Sequence, residues 1–479
     1  MKPWRFFIFS NILYALVACY LYWQLNLASD ALIYVLAHFF LASVANTILI
    51  KKVIKHNICL VSSPVSCFLI ITQVYITFSS LKYFADNSTF YPMFELTKAD
   101  QFIGSLLGLF VVFVILFSLG KSYFVTPNKF VNWVTKYVKV ILFLSIILVC
   151  ISVLTKVALV NQGYGSTYSD SLFTKLELRK RSDAILLNIN EIVDQFLIIY
   201  FFLLYQIYRN SQRQKIIKYI YLLITISFFL YNLLFFKSRL LILFFLVIVI
   251  LMIQAFQPRK GLLYLSILFM FLPITIGILP LLNGVLGRDN LMSDSLEILI
   301  QITSYRADLT DYAYAILKKS NFIGLNPDII LQSLLNAIPN VLFPGKDLVT
   351  KDAYSIGLDK IGWEAKSDTS IEIIDYQDSF FSAGAMSVGI VGFILVPIIF
   401  LKILNYLSVL IDRKLAFGFS AILIFPLISI ALKVEVEFSN IFINMRNSIQ
   451  MTLITFLLSY FYTRFHSRRF PKYLSGEIK

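Results

Sequence analysis

The stretch 294-DSLEILIQITSYRADLTDYAYAILKK-319 belongs to one long polar segment, residues 283–379, that decides the fold. This segment holds eight basic and fourteen acidic residues, whereas the sequence on both sides of it reads as one hydrophobic run after another. Asp294-Ser-Leu-Glu297 has the pattern of a capping box that opens a helix, and apolar residues then recur at helical spacing as far as Lys318-Lys319. We therefore predict a helical segment, not a flexible linker, between two groups of membrane spans.

The composition predicts an all-α polytopic membrane protein. Of the 479 residues, 58% are hydrophobic and 14% are charged, against about 25% charged residues in soluble domains. Apolar stretches of about 20 residues, each able to cross ~30 Å of hydrocarbon as a helix, predict twelve spans. They lie near 6–27, 31–50, 58–80, 101–120, 138–160, 183–208, 216–236, 240–256, 261–282, 380–401, 415–432 and 449–465.

The distribution of Lys and Arg predicts the orientation. With the N-terminus in the cytoplasm, the inner segments hold twenty-three basic residues against two acids, as expected for cytoplasmic loops. Both termini are then cytoplasmic, and 283–379 is an outer loop between a nine-span region, 1–282, and a three-span region, 380–479. The net charge of +15 is explained by topology and by attraction to anionic membrane lipid, so it does not indicate a nucleic-acid partner.

The outer loop carries a second helical signal after the first. Pro327 is placed to begin a short helix and Pro339 to end it. Helices of this length and amphipathic pattern are typical of segments that lie over a membrane surface. We therefore predict that the loop covers the outer face of the bundle.

Four outer arginines are candidates for a binding site: Arg239, Arg288, Arg306 and Arg446. Arg239 lies in a tight turn between spans seven and eight together with Lys237, a further candidate for substrate binding, and Arg306 lies within the first predicted loop helix. A guanidinium group binds phosphate oxygens through paired hydrogen bonds, so four of them could hold a pyrophosphate and stabilise it as a leaving group. The alternatives are interfacial anchoring or, for Arg288, an ion pair with Asp289.

Span six has unusual charges before it and within it. Arg179 and Arg181 precede the span on the outer side, where they could attract an anionic lipid head group or pair with outer carboxylates. Glu191 and Asp194 lie deep in the apolar sequence. Ionisable groups at such depth line a cavity or meet a partner, for which Lys156 is a candidate, so we include them in the predicted substrate site.

Asp378 ends the outer loop directly before span ten. A carboxylate at the water boundary is well placed to act as a general base for a sugar hydroxyl, although an aspartate here could equally be the N-cap of the helix. Span ten continues with Gly384, Gly389 and Gly392, and small residues of this kind let membrane helices approach closely.

Several short motifs resemble bacterial polysaccharide polymerases. Lys237-Ser-Arg239 before a span resembles the Ser-Arg motif of O-antigen polymerases and ligases, and Ile338-Pro-Asn-Val-Leu-Phe-Pro-Gly-Lys346 resembles a segment of the polymerases' large periplasmic loop. Asp378-Ser-Phe-Phe is similar to the start of the helix that follows this loop. The ligases typically place a His-Asn pair there, whereas this chain has Asp378-Ser379, which favours the polymerase group.

This resemblance implies an inverting, metal-independent glycosyltransferase of the bacterial inner membrane. Its substrates would be undecaprenyl-diphosphate-linked oligosaccharides, polymerised into O-antigen or capsule, in some cases with a chain-length regulator as partner. The four arginines would then bind the donor diphosphate, with Arg239 and Arg306 nearest the reaction and Asp378 as the base. No cofactor is expected, because the sequence has no P-loop and no dinucleotide fingerprint.

Three other functions are weighed against the polymerase. A lipid-linked oligosaccharide flippase would share the spans but would not need an outer loop of this length. A metal-dependent glycosyltransferase of the dolichol-phosphate type carries acidic metal ligands in its first outer loop, where this chain has only Asp30. An O-antigen ligase is disfavoured because the three histidines, His38, His56 and His466, lie elsewhere. We predict no metal site.

Overall fold

The computed structural model describes residues 29–55, 64–84, 96–118, 138–161, 308–324 and 379–414 continuously. It also describes single residues between 12 and 19, 189 and 197, 219 and 222, 260 and 267, 330 and 338, and 442 and 464. All regular structure in these residues is helical. The helices are α1 (Ser29–Lys55), α2 (Pro64–Ser79) with a 3-10 turn (Ser80–Phe84), α3 (Lys98–Ser118), α4 (Val138–Asn161), α5 (Asp311–Lys319) and α6 (Phe380–Lys414).

Five helical stretches are long and apolar enough to cross a membrane. They coincide with predicted spans two, three, four, five and ten, which confirms the helical membrane character of the chain. The total of twelve spans and the orientation extend beyond the described residues and remain predictions. The stretches are Ala31–Lys55, Pro64–Phe84, Lys98–Ser118, Val140–Leu159 and Phe380–Ser408.

The chain forms two compact units. The first comprises Met1–Thr126, Ile250–Leu410 and Leu427–Met445, and it contains α1, α2, α3, α5 and most of α6. The second comprises Pro127–Val249, Ile411–Pro426 and Arg446–Lys479, and it contains α4. The predicted division at residues 282 and 379 follows membrane topology, not compactness, and it remains a prediction.

Helix α2 is the central helix among those described in the first unit. Fourteen of its sixteen residues are buried, as expected for a helix that is apolar on every side. It packs against α1 and α3, and its 3-10 turn packs against α1. At that end Tyr83 joins an aromatic cluster, with its ring 5.8 Å from Tyr34 and 6.2 Å from Phe102.

Helix α5 lies along the first half of α3 and runs antiparallel to it. Gly108 faces the methyl group of Thr310, Gly104 faces Tyr314, and Asp100 pairs with Lys318 at 2.8 Å. Because Gly108 is ten residues into α3, the start of α5 lies ~15 Å along α3 from its exposed end. We call residues 308–324 the inserted segment.

The inserted segment corrects two predictions about the outer loop. Every residue from Asp308 to Leu317 is buried, whereas a helix that lies over a surface exposes its polar face; here the polar face is covered by polar side chains of α3 and the 3-10 turn. The predicted helix ends at Lys319 as expected, but Asp308, Leu309 and Thr310 are not helical and a new helix begins at Asp311. The second predicted loop helix is supported by helical residues Ile330, Leu331, Leu334 and Leu335.

Helix α6 is broken near its start and folds back on itself. Val388 and Gly389 have non-helical backbone angles, with φ +63° and ψ −139° at Gly389. The ring centroids of Phe380 and Phe400 lie 4.4 Å apart, whereas twenty residues of straight helix would separate them by ~30 Å. Predicted span ten at 380–401 is thus helical and apolar as expected, but it contains a break that the apolar pattern does not indicate, and residues 390–414 form the long continuous arm.

The three glycines of α6 serve this fold-back. Gly384 and Gly392 bring the short and long arms into backbone contact, so the predicted close approach occurs within one helix. Gly389 adopts a positive φ that only glycine takes readily, and its α-carbon lies against the backbone of Phe322. Gly389 was predicted to let helices pack closely; it instead interrupts the helix.

The turn after α5 docks on this break. The Phe322 carbonyl accepts a hydrogen bond from the Ile390 amide at 3.1 Å, and Gly324, at φ +102°, lies against the backbone of Gly389. We call this contact of Phe322, Gly324, Gly389 and Ile390 the glycine junction. It joins the end of the inserted segment to α6 through backbone atoms.

Candidate functional site

The most polar part of the described structure is a buried group of charges at the start of α5. Lys82 donates a hydrogen bond to Asp308 at 3.1 Å and contacts Asp311, and Gln101 donates to Asp311 at 2.8 Å. Lys82 is fully buried, and Asp308 and Asp311 are 5% and 2% exposed. We call these four residues the charged cluster; it links the end of α2, the second turn of α3 and the inserted segment.

Asp308 lies two residues before Thr310, the N-cap of α5, and its side chain satisfies the start of the helix. Its carboxylate accepts hydrogen bonds from the Thr310 amide at 3.1 Å, the Thr310 hydroxyl at 3.1 Å and the Asp311 amide at 3.0 Å. These amides belong to the unpaired N–H groups that every helix start must satisfy. Because Lys82 adds a fourth donor, Asp308 is surrounded by groups that stabilise its ionised form.

The two carboxylates of the cluster have pKa values shifted in opposite directions. Burial raises the pKa of Asp311 well above its ordinary value, and the neighbouring Asp308 carboxylate raises it further against the pull of Lys82. Burial also opposes ionisation of Asp308, but the charge of Lys82 and the Thr310 amide outweigh it and lower the pKa of Asp308. Asp308 is therefore the ionised partner of Lys82, and Asp311 holds a proton more tightly.

A chain of hydrogen bonds connects the cluster to α1. His38 Nδ1 lies 3.1 Å from the Tyr83 hydroxyl, which donates to Ser105 at 3.2 Å. Ser105 lies 3.5 Å from the hydroxyl of Thr310, and Thr310 donates to Asp308. Buried polar groups need such partners because each unsatisfied donor or acceptor costs ~1–3 kcal/mol. The chain therefore fixes α1, α3 and the 3-10 turn around the inserted segment.

One contact joins the last residue of the long polar segment to a position within it. The Ser379 hydroxyl donates a hydrogen bond to the Leu309 carbonyl at 2.9 Å, and it also accepts the Phe381 amide at 3.2 Å. Ser379 is thus the capping residue of α6, the role that the sequence allowed for Asp378. Positions seventy residues apart in the chain therefore meet inside the first unit, beside the charged cluster.

Most residues of the predicted site lie outside the described residues. These are Arg179, Arg181, Glu191, Asp194, Lys237, Arg239, Arg288, Arg306 and Asp378. Whether the four arginines converge is therefore still a prediction. Lys156, the suggested partner of the span-six carboxylates, is described: it is buried in α4, and its ammonium group donates to Ser152 at 2.9 Å.

Arg446 is the one predicted site residue whose surroundings are described. It is half-buried and helical, as are Phe442 and Met445 before it. The prediction placed it in a short connection before span twelve; it lies instead in a helical stretch, with helical residues continuing as far as Arg464.

The charged cluster is not evident from the sequence, for identifiable reasons. Lys82 falls two residues beyond predicted span three, so it was assigned to a loop and not to the membrane core. Asp308-Leu-Thr-Asp311 has the spacing of a helix cap, yet the helical stripe was continued through it. An aspartate at capping spacing inside an apolar helix pattern was the signal that could have identified this start.

The cluster is suited to anchoring and proton binding, and it offers no metal site. Within the described ranges, no group of three or more His, Cys, Asp or Glu side chains is arranged to hold a metal ion. The amine of Lys82 occupies the position between the two carboxylates that a cation would take.

No protein-family model, curated protein or solved structure matches this chain.

Proposed function

We propose that this chain polymerises undecaprenyl-diphosphate-linked oligosaccharide repeat units by metal-independent, inverting glycosyl transfer. The reaction would take place on the outer face of a bacterial inner membrane, in a protein with twelve spans and both termini in the cytoplasm. The products would be O-antigen, capsule or a related surface polysaccharide. The motif resemblances around Arg239, Lys346 and Asp378 lead to this proposal.

The observation that supports it most is the contact between Leu309 and Ser379. Asp378 precedes Ser379, and Arg306 precedes Leu309 by three residues. Because consecutive α-carbons are 3.8 Å apart, the α-carbon of Arg306 lies within ~11 Å of that of Leu309. Leu309 and Ser379 are therefore tied together, and each lies within three residues in the chain of a residue proposed for the site.

In this proposal the arginines and Asp378 have different roles. Arg239, Arg288, Arg306 and Arg446 bind the donor diphosphate and stabilise the negative charge that grows on it as it leaves. Asp378 accepts the proton of the acceptor sugar hydroxyl as that oxygen attacks the donor sugar. The energy of the donor bond drives the transfer, so no nucleotide is consumed.

A flippase is the strongest alternative, and the inserted segment argues against it. A transporter that alternates its access moves one group of helices against another. Here α5 is bound on one side to α2 and α3 through buried charges and on the other to α6 through backbone contacts. Such a segment is better suited to hold a fixed site at the end of the bundle.

Deleting the gene in its host and analysing the surface glycan on a gel separates the two functions. Loss of a polymerase should leave glycan with a single repeat unit, because one unit is still delivered to the outer face. Loss of a flippase should leave no repeat unit on the surface. The second pattern would overturn the proposal.

Complementing that deletion with an Arg306→Lys variant tests the site itself. Lysine keeps the charge but loses the paired guanidinium contact, so polymer formation should fall by about 10²–10³-fold at a normal membrane level of protein. Arg464→Lys, on the predicted inner side, is the matched control and should support normal polymer. Full-length polymer from Arg306→Lys would exclude Arg306 from the site.

A further inference from the structure

The charged cluster is unbalanced in charge. Lys82 is the only cation that forms an ion pair with Asp308 or Asp311 among the described residues. With both carboxylates ionised, a group in which Lys82 is fully buried and neither aspartate is more than 5% exposed would carry a net charge of −1. A buried charge without compensation costs several kcal/mol, and groups in this position bind or release a proton instead.

We propose that the charged cluster is a proton-binding site, and that its proton holds the inserted segment in the bundle. In the docked form Lys82 is an ammonium ion, Asp308 is ionised and Asp311 is protonated, so the net charge is zero. The proton comes from water and returns to water when α5 leaves α3. This inference does not depend on the proposed glycosyl transfer.

The hydrogen bonds assign the proton to Asp311. Asp308 accepts from Lys82 and from three donors of the inserted segment itself. Asp311 accepts one hydrogen bond from Lys82 and one from the neutral amide of Gln101, two donors against four for Asp308. Rotating that amide by 180° lets a protonated Asp311 donate to Gln101 Oε1 at the same separation, so this site accommodates the proton without moving the backbone.

The other titratable groups that are described around the cluster do not supply a balancing charge. His38 of α1 and Tyr83 of the 3-10 turn take part in the hydrogen-bond chain that ends on Asp308. Asp100 of α3 pairs with Lys318 of α5 at the exposed end of the helix pair. The described residues of α6 that approach the cluster, beginning with Ser379, are uncharged. Among the residues that the structure describes, the proton on Asp311 is thus the remaining source of neutrality.

Proton binding must then be linked to docking, and the thermodynamic cycle determines whether docking strengthens or weakens as the pH rises. The docked state holds the Asp311 proton more tightly than the undocked state, so docking is strongest at low pH. It weakens as the pH rises from the ordinary pKa of an aspartate toward the raised pKa of Asp311. One linked proton changes the docking equilibrium by at most about tenfold per pH unit.

Thiol labelling of α5 measures this linkage in the full chain. Leu317 is fully buried in α5, so a Leu317→Cys variant without the four native cysteines reports opening when it reacts with a maleimide. The protein is held in lipid nanodiscs, and rates are divided by those of Ile323→Cys, a 78% exposed position, to remove the intrinsic pH dependence of the thiol. The normalised rate should rise with pH, by up to about tenfold per unit.

Variants of the two aspartates separate proton binding from simple anchoring. Asp311→Asn mimics the protonated carboxyl group and should give slow labelling at every pH. Asp308→Asn leaves one carboxylate for one lysine, so it should also remove the pH dependence, but with faster labelling throughout because the cap of α5 is weakened. Asp100→Asn, which removes a carboxylate from the same helix pair, should keep the pH dependence of the parent.

Two results would overturn the proposal. One is a normalised labelling rate in the parent that does not change with pH. The other is an Asp311→Asn protein that keeps the parent's pH dependence. If Asp311→Asn does not accumulate in the membrane, retention of the pH dependence in Asp308→Asn decides against the proposal in the same way.

Discussion

The inserted segment is held at its two ends by opposite kinds of chemistry. At its start, the charged cluster binds it through the side chains of Lys82, Asp308 and Asp311, all of them buried. At its end, the glycine junction binds it through backbone atoms, with Gly324 and Gly389 leaving no room for a side chain. These seventeen residues are therefore held by ion pairs between side chains at one end. At the other end they are held by close backbone contacts that only glycine allows.

This difference determines what each end can respond to. The energy of a buried ion group depends on protonation and on every partner, because removing one partner leaves an uncompensated charge. A backbone contact has no titratable group and depends on shape alone. We infer that pH acts on the inserted segment through the charged cluster, whereas the contacts of the glycine junction do not change with pH.

Replacing Lys82 should produce the largest effect. Lys82→Met keeps the volume of the side chain but leaves two buried carboxylates without a cation, at a cost of ~3–5 kcal/mol. Hydrogen exchange of the amides of α5, measured by mass spectrometry in nanodiscs, should become about a hundredfold or more faster. Exchange in the middle of α1 should change much less.

Lys318 supplies the matched control for this variant. It forms its ion pair with Asp100 at 2.8 Å, a distance similar to the 3.1 Å between Lys82 and Asp308, but its side chain is 47% exposed. Exposed pairs contribute only ~0–1 kcal/mol, so Lys318→Met should change exchange in α5 slightly. Equal effects of the two variants would show that burial does not distinguish the two lysines.

Adding a side chain at the glycine junction should produce the next largest effect. Gly389→Ala forces a non-glycine residue into a backbone conformation that costs ~1–3 kcal/mol, and the new methyl group would overlap the Phe322 carbonyl. The Ile390 amide, which donates to that carbonyl, should lose protection first. This variant leaves the charged cluster intact, so it should leave the pH dependence of α5 labelling in place.

The residue beside Gly389 provides the control for the junction. Val388 also has non-helical backbone angles, but its side chain is 52% exposed. Val388→Ala should therefore leave the exchange of the Ile390 amide close to that of the parent. Comparable loss of protection in both variants would mean that the whole break, not the glycine, is fragile.

Much of the helical framework could be predicted from hydrophobicity alone. Span four was predicted at 101–120 and is observed at Lys98–Ser118, and span five was predicted at 138–160 and is observed at Val138–Asn161. A membrane span needs only about 20 consecutive apolar residues. This property can be read from the local sequence without knowing which helices pack together. The end of α5 at Lys319 was similarly visible where the apolar pattern stops.

The fold-back of α6 could not be predicted in this way. Residues 380–401 are apolar throughout, and a hydropathy sum is the same for a straight helix and for two arms that meet at Val388 and Gly389. The three glycines were noted, but which of them takes a positive φ depends on the Phe322 backbone that docks there, 67 residues earlier in the chain. The sequence around the glycines does not indicate that contact.

The charged cluster was hidden for a related reason. Lys82 and Asp308 are 226 residues apart, and each alone fits an ordinary role, as a charge at the end of a span or as a polar residue on a surface helix. That both side chains are buried can be inferred only once their contact is known. Arg306 was predicted from its position in an outer-loop helix and Asp378 from its place before span ten, and the roles of both remain predictions.

A substitution at the contact between α3 and α5 should give the smallest effect. Whether it stabilises or destabilises α5 depends on two opposing contributions. Gly108→Ala would place a methyl group 2.8 Å from the Thr310 methyl, and overpacking of this kind costs ~1–3 kcal/mol. Replacing a glycine within a helix by alanine recovers ~0.5–1 kcal/mol, so the net loss should be ~1 kcal/mol, seen as faster exchange in α5. Thr310→Ser removes the clashing methyl group but keeps the hydroxyl that donates to Asp308. The double variant Gly108→Ala/Thr310→Ser should therefore regain the exchange rates of the parent. Failure of that rescue would mean that Gly108 is required by something other than its contact with Thr310.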